Sequence, residues 1–346
     1  MKYLIISAIA LLYTLNGCKK DGGGAVPTAP SNLLVKSVIS TDGSGNVAFT
    51  ATANNATTFD YELGNGEVKI GTSGTLNYQY TVAGTNTYSV SVTARNNDGL
   101  SAKSTIQVTV TVQAAIPTVF WSDEFNTDGA PDPTKWGYDL GTGSGGWGNQ
   151  ELQYYTNRAQ NVIVQGGVLK ITAIRESYSG SAYTSTRLLS LNKFAFKYGR
   201  VDVRAKLPAG VGTWPAVWML GSDLATAIWP ACGEIDIMEH KGSELNKIYG
   251  TLHYPGRSGG SADGNTRVIS NATTEFHVYS LDWTAAIIRI YVDDQLVHSV
   301  VNTNSIPFNH DFFFIINLAM GGTFGGPVAP AFVNASLEVD YIRVTK

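Results

Sequence analysis

Three carboxylates fall within six residues of an otherwise apolar run, Gly233-Glu234-Ile235-Asp236-Ile237-Met238-Glu239-His240. In an extended strand successive side chains alternate between faces, so Glu234 and Asp236 share one face while Glu239, five positions from Glu234, points to the other. All three converge only if one residue is inserted as a β-bulge near Ile237-Met238, a device that clusters at active sites. Converging carboxylates raise one another's proton affinity, so one keeps its proton while a neighbour is ionised. Cleavage of a glycosidic bond needs such an acid beside such a nucleophile, and Glu234 and Glu239 are the candidate pair. A solvated charged strand is excluded, because Ile235, Ile237 and Met238 provide no polar face.

Trp214, Trp218 and Trp229 flank this run in sequence. Indoles stack on the C–H faces of sugar rings and line clefts that grip neutral polysaccharides. The charge balance agrees with a neutral ligand: 24 Lys+Arg against 27 Asp+Glu give a net charge of −3, which excludes the basic field that nucleic acids or other polyanions require. Cys232, two residues before Glu234, reads as a packed free thiol. No His-x-x-x-His spacing appears, so catalysis is expected to need no metal.

The elements that position these residues are strands. Only 15% of the 346 residues are charged, and the 37 Gly, 17 Tyr, 13 Phe and 7 Trp suit a Gly-turned, β-rich chain long enough for two domains. Strand-like runs recur at Val168 to Ile174, Tyr198 to Leu207, Glu234 to His240, Tyr249 to Tyr254, His277 to Trp283, Ile287 to Val292, Phe312 to Leu318 and Leu337 to Val344. No long amphipathic helix interrupts them. That pattern predicts an all-β chain in which residues 118–346 form a jelly-roll sandwich of two stacked sheets. Residues 32–113 alternate Thr, Ser and Val with period two, between turns at Asp42-Gly43-Ser44-Gly45-Asn46, Gly64-Asn65-Gly66 and Asn96-Asn97-Asp98-Gly99. They predict a smaller Ig-like β-sandwich. The pattern Phe59-Asp60-Tyr61-Glu62-Leu63-Gly64-Asn65-Gly66 resembles the core motif of PKD domains, with Tyr61 and Asn65 as departures. Between a spacer and a carbohydrate-binding role for this unit, the spacer is the expectation.

The larger domain resembles glycoside hydrolase family 16, and within it the bacterial laminarinases, endo-β-1,3-glucanases with a Glu-x-Asp-x-x-Glu strand. The resemblance runs from Phe120 to the C-terminus through Trp121-Ser122-Asp123-Glu124-Phe125, Gly146-Trp147-Gly148-Asn149-Gln150-Glu151, Tyr183-Thr184-Ser185-Thr186-Arg187, Gly199-Arg200-Val201, the stretch Gly212 to Leu220, and Trp229-Pro230-Ala231-Cys232. It implies a retaining endo-hydrolase with Glu234 as nucleophile, Glu239 as acid/base and Asp236 tuning Glu234. It also implies Trp214 and Trp229 as subsite residues, Trp218 near the cleaved sugar, Asn149 and Arg187 on the non-reducing side, and His253 beside the acid/base. Trp136 and Trp283 are expected in the core. The resemblance further implies a structural calcium near Glu124, Gly166 and Asp340. Phe324 stands where the family commonly has Trp. A mixed-linkage β-1,3-1,4-glucanase shares much of this pattern, and a non-catalytic glycan-binding lipoprotein would show lost carboxylates, whereas all three are present.

The N-terminus has the layout of a secretory signal: Lys2, an apolar run from Tyr3 to Tyr13, and Leu15-Asn16-Gly17-Cys18. The last four resemble the lipobox of bacterial lipoproteins, which implies a signal peptide over 1–17 and acylation of Cys18. Residues 18–31 read as a tether, Lys/Asp/Gly-rich and then Pro-stiffened. The expected setting is the bacterial cell envelope, as a monomeric lipid-anchored outer-membrane protein that is surface-displayed, with β-glucan as ligand.

Overall fold

Strand alternation organises both parts of the chain. The structure, a computed structural model, describes residues 27–113 and 118–346, and the chain divides into two units between Ile116 and Pro117. Cys18 and the signal-like segment lie outside the described residues.

In the N-terminal unit, Ser31–Ile39, Asn46–Asn54 and Thr75–Gln79 form one sheet. Val68–Thr72, Thr58–Glu62, Gly84–Arg95 and Ser101–Val112 form the other. Within Gly84–Arg95 the apolar Val90, Val92 and Ala94 are buried, while Ser89, Ser91 and Thr93 alternate outward. They meet Phe49, Tyr61 and Val108 in one core. Gly64, in the turn after Thr58–Glu62, has φ +77°, and a Cβ there would lie 2.8 Å from the Ser89 carbonyl oxygen. Only glycine satisfies both the left-handed backbone and the close approach.

The C-terminal unit is the expected jelly roll of two sheets. The ten-stranded sheet contains Leu169–Tyr178, Asn334–Thr345, Gly199–Lys206, His277–Trp283 and Ile287–Val292 as consecutive neighbours. The seven-stranded sheet runs Asp263–Val268, Lys247–His253, Glu234–His240, Thr213–Gly221, Phe312–Met320, Arg187–Leu189 and Gly137–Asp139. Between the sheets, Val201, Val203, Leu281, Trp283, Ile288 and Ile290 pack against Ile235, Met238, Phe314 and Ile316 in one continuous core. Trp136 and Trp283 are both buried, at 2% and 0% exposure, as expected. The longest helical piece of α type among the described residues is one turn, Gly322–Gly325.

The strand Thr213–Gly221 did not stand out as a strand in the sequence, because Pro215 interrupts it. Proline lacks a ladder N–H and is tolerated where pairing ends. Pairing with the acidic strand indeed begins only at Ala216, opposite Glu239, although the other edge pairs along the whole strand.

Candidate active site

The acidic strand Glu234–His240 is clamped between Thr213–Gly221 and Lys247–His253. On the first side Trp218 pairs with Asp236 and Val217 with Met238, which leaves Ile237 unopposed. On the second side Asp236 pairs with Thr251 and Glu239 with Tyr249, three steps against two. The bulge therefore sits where the spacing of the carboxylates required it. Ile237 and Met238 both enter the core, and Glu234, Asp236 and Glu239 line an open cleft of about 720 Å³ on the other face.

The cleft holds these carboxylates with little cationic compensation. Glu234 accepts a hydrogen bond from the Trp229 indole N–H at 2.9 Å. Glu239 accepts one from the Trp214 indole N–H, also at 2.9 Å. His253 brings Nε2 to 3.2 Å from Asp236 and 3.7 Å from Glu234. Its Nδ1 accepts the Gly259 backbone N–H at 3.1 Å, which places the ring proton on Nε2, facing the carboxylates. One oxygen or nitrogen from each of Glu234, Asp236 and His253 falls within a 4.8 Å span. Burial is the main force on their titration: it pushes Glu234, Asp236 and Glu239 each up to about 8. The charge of Asp236 adds to the rise at both glutamates, and the indole N–H groups oppose it. Groups coupled this closely take up and release protons as a unit.

The structure brings every sequence-predicted substrate residue to this cleft: Asn149, Arg187, Trp214, Trp218, Trp229 and His253 all line it. The Arg187 guanidinium lies over two indoles, 4.6 Å from the Trp147 ring centroid and 4.9 Å from that of Trp218. Its Nε is 3.0 Å from Asp139. Phe324, the departure from the family pattern, packs at 5.2 Å against Trp214 and at 5.0 Å, edge-on, against Tyr249. The cleft wall thus keeps an aromatic surface at that position.

Sequence reasoning left out Asn317, which also lines the cleft and whose Oδ1 accepts the Trp218 indole N–H at 2.7 Å. Its signal was available: it is the single polar residue in Phe312–Met320, a strand buried throughout, and a buried amide needs partners. Tyr155 and Glu151, connected to it, were likewise not singled out.

Glu124, Gly166 and Asp340 lie outside the cleft. Glu124 accepts two hydrogen bonds from Arg343, at 2.9 and 2.8 Å, and this pair holds its carboxyl below the usual range. Asp340 is paired with Arg204, and the Gly166 N–H donates to Asp128 at 2.8 Å. Both carboxylates are already neutralised, so as they stand these side chains do not fit a divalent cation, which takes uncompensated oxygen ligands.

A jelly roll with a bulged strand that turns three carboxylates into an aromatic-lined cleft defines a glycoside hydrolase. The chain belongs to the glycosyl hydrolases family 16, whose family profile matches residues 149–342. A β-glucanase of Rhodothermus marinus is 47% identical over 241 residues, spanning 65% of this chain and 83% of the relative. A glucan endo-1,3-beta-glucosidase A1 of Niallia circulans is 39% identical over 257 residues, spanning 66% of this chain and 38% of the relative. The solved laminarinase of Rhodothermus marinus aligns with a TM-score of 0.63 at 45% identity, covering 67% of this chain and 99% of that one.

Proposed function

We propose that the protein is a retaining endo-β-1,3-glucanase acting on laminarin-type glucan. The observation that carries this reading is the bulge at Ile237, which delivers Glu234, Asp236 and Glu239 to one face of an aromatic cleft. In the first half-reaction a Glu234 carboxylate oxygen attacks the anomeric carbon. The bond to the glycosidic oxygen breaks as Glu239 gives that oxygen its proton. In the second, Glu239 takes a proton from water, the hydroxide displaces Glu234, and the β configuration is restored. The Trp229 N–H favours the charged form of Glu234, and His253, with Nε2 facing Asp236, keeps that pair oriented. Trp214, Trp218 and Trp229 offer stacking faces, while Asn149 and Arg187 offer donors for hydroxyls on the non-reducing side. Assignment of nucleophile to Glu234 and acid/base to Glu239 follows the family resemblance, since burial raises both alike.

Relatives named for β-1,3-glucan support that linkage, and lichenan is the substrate that measures breadth. The test is reducing-sugar release by the full chain on laminarin, lichenan, agarose and carrageenan, with the anomer formed first followed by NMR. Laminarin cleavage with β product emerging first is the expected result. Cleavage of a galactan alone overturns the substrate, and α product overturns the mechanism.

We further propose that Cys18 is the acylated N-terminus of a monomeric, surface-displayed outer-membrane lipoprotein and that the N-terminal sandwich is a PKD-like spacer. The lipobox-like Leu15-Asn16-Gly17-Cys18 supports the anchor. Detergent-phase partitioning of the expressed protein should be lost in Cys18→Ala.

A further inference from the structure

Behind the cleft runs a chain of polar contacts that the carboxylate chemistry does not use, and its donors and acceptors can be assigned one from the next. The Trp218 indole nitrogen can only donate. Asn317 must therefore turn Oδ1 toward it, at 2.7 Å. That fixes the amide so that Nδ2 faces the Tyr155 hydroxyl oxygen at 3.0 Å and donates to it. The hydroxyl has one proton left to give, and Glu151 Oε2 lies 3.1 Å away to accept it. Burial and the nearby Glu151 charge push Tyr155 well above its ordinary range, so the phenol stays a donor. Glu151 also accepts from Gln153 at 2.7 Å and, more loosely, from Asn149 at 3.4 Å. Tyr155 and Gln153 are fully buried and Asn317 nearly so.

The two ends of this chain belong to different walls of the cleft. Trp218 is on the sheet floor, held at its edge by Asn317 and on its face by Arg187. Asn149 is in the Gly146–Gln150 loop, where Trp147 sits at φ +57°, a conformation that a non-glycine side chain adopts only when neighbours impose it. We infer that Asn317 and Tyr155 are positioning residues: a one-directional hydrogen-bond relay, Trp218 to Asn317 to Tyr155 to Glu151, sets the loop bearing Asn149 against the indole floor so that both meet the same glycan. This rests on the glucanase reading for its ligand, but not for its geometry.

Two variants separate the ends. Tyr155→Phe deletes the middle of the relay and should raise KM for laminarin about tenfold. Its kcat should stay within about threefold and its pH profile should be unmoved, because no catalytic carboxylate is touched. Asn317→Asp accepts from both Trp218 and Tyr155, so it draws the phenol proton away from Glu151. It should show the same KM rise while keeping the Trp218 indole hydrogen bond. The Trp218 indole N–H resonance, assigned with Trp218→Phe, reports on the floor without any substrate. It should shift most in Asn317→Asp, where a carboxylate replaces the amide oxygen that accepts it, and by less in Tyr155→Phe, whose change reaches the indole only through Asn317. A KM unchanged in both variants, or a kcat that falls with KM constant, overturns the positioning role. An indole resonance unmoved by Tyr155→Phe overturns the relay itself. If the wild-type chain cleaves no glucan, the substrate reading fails while the indole result still decides the relay.

Discussion

The two sheets of the catalytic unit treat the same acidic side chains in opposite ways. On the ten-stranded sheet carboxylates face guanidinium and ammonium groups: Arg200 with Asp202 and Asp282, Arg204 with Asp340, Lys206 with Glu338, and Arg343 with Glu124. On the seven-stranded sheet Glu234 and Glu239 receive neutral indole N–H groups instead. Where a guanidinium is the partner, as at Glu124, the carboxyl is held low. Where burial dominates and the partner is an indole, it rises to about 8. Proton affinity in this molecule is set by burial where no cation answers it and by the guanidinium where one does. The difference separates surface structure from proton-transfer chemistry.

The comparison breaks most visibly if the cleft carboxylates are removed. Glu234→Gln and Glu239→Gln should each lower kcat on laminarin by about 10³-fold or more, read by reducing-sugar release, while equilibrium binding of laminari-oligosaccharides persists. Residual turnover near the wild-type rate would mean that the chemistry resides elsewhere. Next in size is Trp229→Phe, which keeps the ring and deletes the N–H donated to Glu234. Losing that donor disfavours the charged nucleophile, so the acid limb of the kcat/KM profile should move to higher pH by up to about one unit, and activity at pH 5 should fall roughly tenfold.

Stability against pH sharpens the contrast. A carboxyl whose folded-state proton affinity is raised binds its proton more tightly folded than unfolded. Its contribution is therefore most favourable below the unfolded value, near 4, and is lost as pH rises toward about 8. Glu239→Gln escapes that loss. It should melt at about the wild-type temperature at pH 4 and on the order of 5 °C above it at pH 8, by calorimetry. The outer-sheet pairs obey the reverse sign: Glu124, held low, loses its contribution as pH falls. Arg343→Met should cost only about 0.5 kcal/mol, less at high salt, because exposed pairs are screened. Smallest is the response to calcium. With Glu124 and Asp340 already neutralised by arginines, adding or chelating calcium should move the melting temperature by less than about 2 °C. A larger rise would show that those carboxylates release their arginines to the ion.

Much of this site could be read from the sequence because one rule was violated locally. A period of two cannot bring Glu234 and Glu239 to one face, so the acidic run with no polar face pointed to a bulge, and the strand has one. The strand runs Glu234–His240, His277–Trp283 and Ile287–Val292 match their expected limits, because turn residues and apolar alternation bound them. Strands such as Gln295–Val301 and Asp263–Val268 were harder to read, since exposed edge positions carry polar residues that blur the alternation. Asn317, Tyr155 and Glu151 escaped for a different reason. Asn317 is marked locally as the one polar residue of an apolar run, but the contact that joins it to Tyr155 spans 162 residues, and a pairing of that range leaves no local periodicity to detect.

The inserted residue at Ile237 also says which kind of mutation acts on the spacing of the catalytic groups. Because the distance between the two glutamates is a main-chain quantity, no exchange of side chains along the strand can reset it. Deleting either Ile237 or Met238 would leave Glu234, Asp236 and Glu239 at alternate positions of a regular strand, still sharing one face with no bulge, so the bulge is one of two main-chain solutions that bring the three carboxylates together. Point substitutions along the strand can retune substrate and pH, whereas the spacing of the carboxylates changes only with the length of main chain between them.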